Sequence, residues 1–168
     1  AAKSGHSVIM MPNADTYLNY YQEDPEYAPI GSGSFLPIEQ VYSYEPIPAQ
    51  MNDRDKKYVL GMEAALWTPY MKNPDVVDYY MYPRFYAVAE VAWTPAETKN
   101  YTDFLARIRK QYARLDLQQV KACRNYFDAY IDGAFNKRTR KFEVRITGMI
   151  PGSEIRYTTD GHIPTPTS

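Results

Sequence analysis

Two short apolar runs far apart in the chain, Ser7 to Met11 and Tyr58 to Trp67, constrain the fold more than any other feature. Each lacks strict alternation and each empties into a proline-containing segment, Pro12-Asn13 and Pro69. That is the pattern of a strand buried on both faces which hands its next residues to a loop. Between them, Tyr20 to Gln50 is rich in Tyr, Pro, Gly and Ser without sustained periodicity. It reads as a long loop with short helical turns, and loops of that length in a compact domain usually line a site. The next segments are helical. Asn73 is placed to cap a helix whose first turn holds Pro74 and Asp75, and Val77, Tyr80, Val88 and Val91 fall near one face. Pro83 predicts a kink or restart before Arg84. A second helix from near Asn100 carries Phe104, Ile108, Tyr112 and Leu115 as its apolar stripe, which leaves Arg107, Arg109 and Lys110 as a solvated face. A further short helix is expected near Gln118 to Cys123.

After Ala134 the period changes to alternation: Phe142, Val144 and Ile146, a Pro151-Gly152 turn, Ile155 and Tyr157, then Asp160-Gly161. Strand, turn, strand, turn is the signature of a β module. The polar, basic stretch Asn136 to Lys141 is read as the boundary, so 1–135 forms an α/β piece and 136–168 a linker and the start of a β-sandwich.

Composition narrows the chemistry. With 45% hydrophobic and 23% charged residues the chain has the profile of a folded domain, and 19 Lys+Arg against 20 Asp+Glu give no basic field for nucleic acid or anionic membrane. No apolar run approaches the ~20 residues of a membrane span, and Ala1 to Ser7 lacks the layout of a signal peptide. A single cysteine, Cys123, and two distant histidines, His6 and His162, suggest neither a disulfide framework nor a metal centre, and no cofactor is expected. Aromatic content is the unusual feature: 17 tyrosines in clusters such as Tyr20-Tyr21 and Tyr79 to Tyr82 suit sugar-binding clefts and wet interfaces as well as ordinary cores.

Several stretches together resemble one family. The run from Tyr58 through Trp67-Thr68, then Tyr82-Pro83-Arg84-Phe85-Tyr86-Ala87-Val88-Ala89-Glu90 and Trp93, is similar to the last strand and helix of the β-N-acetylhexosaminidase barrel. Upstream, Tyr17-Leu18-Asn19 resembles that family's Tyr-Leu-Asp/Asn motif, in the same order and spacing. Gly152 to Gly161, with Pro164-Thr165, is similar to the immunoglobulin-like domain that follows the barrel in bacterial chitobiases. The resemblance implies the late portion of a TIM (β/α)8 barrel followed by part of an immunoglobulin-like β-sandwich, internal to a longer chain. The implied activity is exo-acting removal of terminal N-acetylglucosamine or N-acetylgalactosamine from glycans, with retention and with the substrate's own acetamido oxygen as nucleophile. A periplasmic or secreted location is implied by the family alone.

The resemblance also assigns roles. Tyr17 matches the tyrosine that holds the acetamido carbonyl as charge develops on it. Asn19 matches the residue that bonds a sugar hydroxyl, with a turn-shaping amide as the open alternative. Trp67 matches a wall of the terminal-sugar pocket. Pro69 stands where the family usually has a sugar-binding Glu, and Glu63 where it usually has Gln; Glu63 is read as structural. Arg84 and Glu90 are read as a scaffold ion pair, and with Trp93 they stay outside the site. The catalytic Asp-Glu pair of the family has no counterpart in these 168 residues, so the isolated chain is expected to be inactive. Open barrel edges predict self-association. A non-catalytic glycan-binding or structural module is the rival reading, favoured by Pro69.

Overall fold

The computed structural model describes residues 1–127, 129–148 and 152–165, which fall into two compact units, Ala1–Cys123 and Arg124–Ser168. In the first, strand β1 (Val8–Met10) leads into a single helical turn, α1 (Asn13–Thr16), and the expected long loop then carries α2 (Ile38–Ser43) and α3 (Asp53–Lys56). Strand β2 (Val59–Met62) pairs parallel to β1, Val8 opposite Val59 and Met10 opposite Met62. It is shorter than the run Tyr58 to Trp67 suggested. The ladder breaks after Met62 and resumes at Ala65, which bridges Tyr17.

The helices form where their caps and stripes predict. Asn73 accepts the Val76 N–H through its side chain and starts α4 (Pro74–Met81); Pro83 intervenes before α5 (Arg84–Trp93). Asn100 accepts from Asp103 N–H and starts α6 (Tyr101–Leu117), whose Phe104, Ile108, Tyr112 and Leu115 are all buried. Phe104 packs on Tyr42 of α2 at a ring separation of 4.6 Å, while α2 also lies against α5. The buried layer is Leu36, Ile38 and Val41 from the loop and α2, with Tyr80, Ala87 and Val88 from α4 and α5.

Several expectations are corrected. The helix predicted at Gln118 to Cys123 does not form. Instead α6 ends in a Schellman motif: Gln119 takes a positive φ of 59°, Val120 N–H reaches back to Leu115 O and Gln119 N–H to Asp116 O. The basic face of α6 is not simply solvated, because Arg107 forks onto Glu90 of α5 at 3.0 and 2.5 Å and onto Asp103 at 2.7 Å. Both carboxylates raise the Arg107 pKa, Glu90 first, so it stays charged. Glu90 therefore pairs with Arg107, whereas Arg84 is fully buried among backbone carbonyls. Trp93, at the end of α5, is 87% exposed.

In the second unit, β3 (Ala129–Asn136) and β4 (Lys141–Gly148) form an antiparallel hairpin. The stretch Asn136 to Lys141, read from sequence as a boundary, is the end of this hairpin, and the chain divides between Cys123 and Arg124 instead. Polar turn residues mimic a linker in composition. One hairpin face carries Ile131, Phe135, Phe142 and Val144, all largely exposed. Ile155 and Tyr157 were expected in a strand but adopt no regular structure. Of the expected Pro151-Gly152 turn, Pro151 lies outside the described residues, as do 166–168.

Candidate functional site

The site begins with the parallel ladder. Val8 N–H bonds Tyr58 O and Glu63 N–H bonds Met10 O, which carries the pairing to the C-terminal ends of both strands. There α1 lifts the first segment by one turn: Thr16, fully buried, donates its hydroxyl to Pro12 O at 2.8 Å. Beyond that turn the two segments pair again, Ala65 N–H to Thr16 O at 3.0 Å and Leu18 N–H to Ala65 O at 2.8 Å. Ala65 thus grips the backbone on both sides of Tyr17.

This pairing brings the three sequence-predicted site residues together. The Tyr17 ring lies 6.1 Å from the Trp67 ring, nearly edge to face, and 5.8 Å from the Tyr20 ring. Such pairs hold ring orientation with a small stabilisation of ~1 kcal/mol. The Tyr17 hydroxyl makes no hydrogen bond among the described residues, so none of them consumes its donor. Trp67 is 54% exposed within this chain. Asn19 is buried, 4% exposed, and its Oδ1 accepts the Trp67 N–H at 3.5 Å while its backbone carbonyl accepts from Ser32 N–H at 3.0 Å. Asn19 therefore shapes the mouth by tying one strand end to the other. Its amide N–H groups donate to none of the described residues.

Sequence reasoning did not single out Tyr20 as a site residue, although it belongs to a tyrosine pair visible in the sequence. Pro69 occupies the second position of a turn closed by Met71 N–H on Thr68 O at 3.1 Å, a place that suits its fixed φ. Glu63 joins the ladder through its N–H, and its carboxylate has no hydrogen bond or ion pair among the described residues. Two large surface hollows lie elsewhere: one of about 470 Å³ between α5 and α6, and one of about 410 Å³ beside Val59–Gly61 and Trp93. The strand-end aromatics face neither of them. Among the described residues no group of three or more His, Cys, Asp or Glu could hold a metal ion, and no helix is long and apolar enough to cross a membrane.

Comparison with known proteins identifies a family. The profile of glycosyl hydrolase family 20, catalytic domain, matches residues 1–96. A β-hexosaminidase of Porphyromonas gingivalis is 41% identical over 121 residues, covering 71% of this chain and 16% of that protein. A β-hexosaminidase of Vibrio furnissii is 37% identical over 90 residues, covering 52% of this chain and 15% of that one. The chain thus spans about a sixth of the length of these two relatives. Among solved structures, the exo β-N-acetylglucosaminidase of Vibrio harveyi in complex with N-acetylglucosamine superposes with a TM-score of 0.64 at 36% identity, over 73% of this chain and 20% of that one. The Streptomyces plicatus N-acetyl-β-hexosaminidase does so with a TM-score of 0.65 at 27% identity, over 73% and 24%. These neighbours make the parallel strands and helices of the first unit part of a TIM-barrel catalytic domain, in which strand C-termini carry the site. The chain belongs to glycosyl hydrolase family 20, within whose catalytic domain residues 1–96 fall.

Proposed function

We propose that the protein containing this chain is an exo-acting β-N-acetylhexosaminidase that removes terminal N-acetylglucosamine or N-acetylgalactosamine from glycans with retention. The convergence of Tyr17, Asn19 and Trp67 at the C-terminal ends of β1 and β2 carries this reading. The Tyr17 hydroxyl, without a hydrogen bond among the described residues, donates to the substrate's acetamido carbonyl, whose oxygen attacks the anomeric carbon. Charge that builds on the acetamido group toward an oxazolinium is then met by a fixed donor. Asn19 offers its amide to a sugar hydroxyl, and the open Trp67 indole covers the apolar sugar face. These residues supply one wall of the pocket; with no Asp-Glu pair in its sequence, the 168-residue chain on its own turns nothing over.

The test is hydrolysis of an aryl N-acetyl-β-glucosaminide by the full-length protein, with the product anomer followed by NMR. Release of the β-anomer first is expected, and release of the α-anomer refutes substrate assistance. The rival reading, a glycan-binding module without turnover, draws on the turn at Pro69, which leaves no carboxylate where the family's sugar-binding Glu stands. Saturable sugar binding with no hydrolysis by the full-length protein would favour it. Residues 124–168, with their amphipathic hairpin, fit the opening of an immunoglobulin-like β-sandwich. The exposed Ile9 and Leu60 on the two-stranded sheet support self-association of the isolated chain. A periplasmic or secreted location goes with the family reading.

A further inference from the structure

Arg84 is the first residue of α5, a position where a cation works against the helix dipole, and it is completely buried. What it reaches explains its place. Its Nη1 donates to Tyr20 O at 3.0 Å and Leu36 O at 2.9 Å; its Nη2 donates to Leu18 O and to Tyr80 O, the latter at 2.8 Å. Leu18 and Tyr20 are the neighbours of Asn19, one on each side. Leu36 lies on the returning limb of the same loop, where its N–H bonds Tyr21 O. Tyr80 O is one of the last carbonyls of α4, which a helix leaves without an internal partner. One planar fork therefore joins the outgoing limb, the returning limb and the helix layer.

Neighbouring ties act on the same loop. The buried Tyr80 hydroxyl donates to Pro29 O at 2.5 Å, and Gln22 donates its amide to Tyr79 O. Burial raises the Tyr80 pKa, which keeps that hydroxyl a donor. Tyr21 Oη accepts the Gly31 N–H at 3.1 Å.

We infer that Arg84, seconded by Tyr80, is a positioning residue for the site: it fixes the carbonyls flanking Asn19 and so sets where Tyr17 and Asn19 meet the sugar. The inference rests on the hexosaminidase reading for its catalytic consequence, but not for the clamp itself. Lysine cannot replace it, because an ammonium is a point donor that cannot span four carbonyls lying around a flat fork. A displacement of about 1 Å at a reacting group costs on the order of a hundredfold in rate.

The experiment compares Arg84→Lys with Arg107→Gln in the full-length protein. Arg107→Gln breaks an ion pair between α5 and α6 and leaves the carbonyls that Arg84 holds untouched. Two readouts are taken below both melting temperatures: kcat and KM on an aryl N-acetyl-β-glucosaminide, and amide exchange at Leu18, Ser32 and Trp67 against α6. Arg84→Lys is expected to lower kcat about a hundredfold and to speed exchange at those three amides while α6 keeps its protection. Arg107→Gln is expected to leave kcat and the three amides unchanged. Should Arg84→Lys fail to fold, Tyr80→Phe takes its place, since it cuts the tie to Pro29 and keeps the ring. Exchange at the three amides that stays at the wild-type rate overturns the inference. So does acceleration shared equally with α6, or local acceleration with kcat intact. Local acceleration in a protein whose wild type shows no hydrolysis leaves the clamp standing and removes the hexosaminidase reading.

Discussion

Tyr17→Phe in the full-length protein separates a hydroxyl from a ring. The ring is held by Tyr20 at 5.8 Å and Trp67 at 6.1 Å, contacts that phenylalanine keeps, and the hydroxyl has no hydrogen bond among the described residues that its loss would break. Stability should therefore change by no more than about 0.5 kcal/mol, as for a surface substitution. The rate should change far more. A preorganised donor aimed at developing charge is worth ~10²–10³ in kcat, about 3–4 kcal/mol. Because the charge on the acetamido oxygen grows only toward the transition state, the loss should fall on kcat with KM nearly constant. Steady-state kinetics on an aryl N-acetyl-β-glucosaminide, with a melting curve for each protein, measure both quantities. A fall in kcat of less than tenfold would refute the role given to the hydroxyl. A large fall matched by an equal loss of stability would show instead that Tyr17 supports the fold.

Other perturbations probe different layers. Trp67→Ala in the full-length protein should raise KM about ten- to a hundredfold; an indole of up to ~250 Å² with half its surface open gives up to ~3 kcal/mol on being covered. An unchanged KM would remove Trp67 from the pocket. Gly31→Ala places a methyl into the Tyr80 hydroxyl and 3.2 Å from the Asn19 carbonyl, so overpacking should cost about 1–3 kcal/mol by thermal unfolding. Combining it with Tyr80→Phe should cost less than the sum of the two, and strict additivity would show that the clash is absent. Burial raises the pKa values of Tyr42, Tyr44, Tyr80, Tyr86 and Tyr101. Their contribution is fully present below ~10, the unfolded tyrosine value, and is lost as pH climbs toward the folded values, at about 1.4 kcal/mol per pH unit for each. Phenolate absorbance should show these tyrosines ionising only as near-UV dichroism is lost; a single wave near ~10 with the fold intact would contradict this.

The sequence was informative where the signal is local. Asn73 and Asn100 announce their helices because a cap acts on residues three positions away, and the stripe from Phe104 to Leu115 announces the buried face of α6. Tyr17 and Trp67 stand out through family resemblance, in Tyr17-Leu18-Asn19 and in the run Tyr58 to Trp67, and not through any periodicity. Less was legible where one element answers to another. Strand β3 was missed because Asp132-Gly133 interrupts its apolar residues; a Cβ on Gly133 would lie 2.6 Å from the Phe142 ring, a relation only pairing creates. Ile155 and Tyr157 alternate as a strand would, yet alternation without a partner makes no ladder. Gln119 ends α6 in a left-handed conformation with no glycine to mark it. The four carbonyls that Arg84 reaches leave no trace in a sequence.

The grip of Ala65 on both sides of Tyr17 also dictates an order of events. Thr16 and Ala65 are joined only after all the intervening chain has been made, and Asn19 and Trp67 stand 48 positions apart. Closing a flexible loop of that length costs about 3–4 kcal/mol of chain entropy before any strand-end contact repays it. The aromatic mouth therefore belongs to the late stage of folding, after α4 and α5 have formed by local contacts and can offer Arg84 and Tyr80 as a surface on which the loop settles. On the ribosome, a nascent chain that has exposed Tyr17 but not yet Trp67 holds one side of a pocket whose other side does not exist.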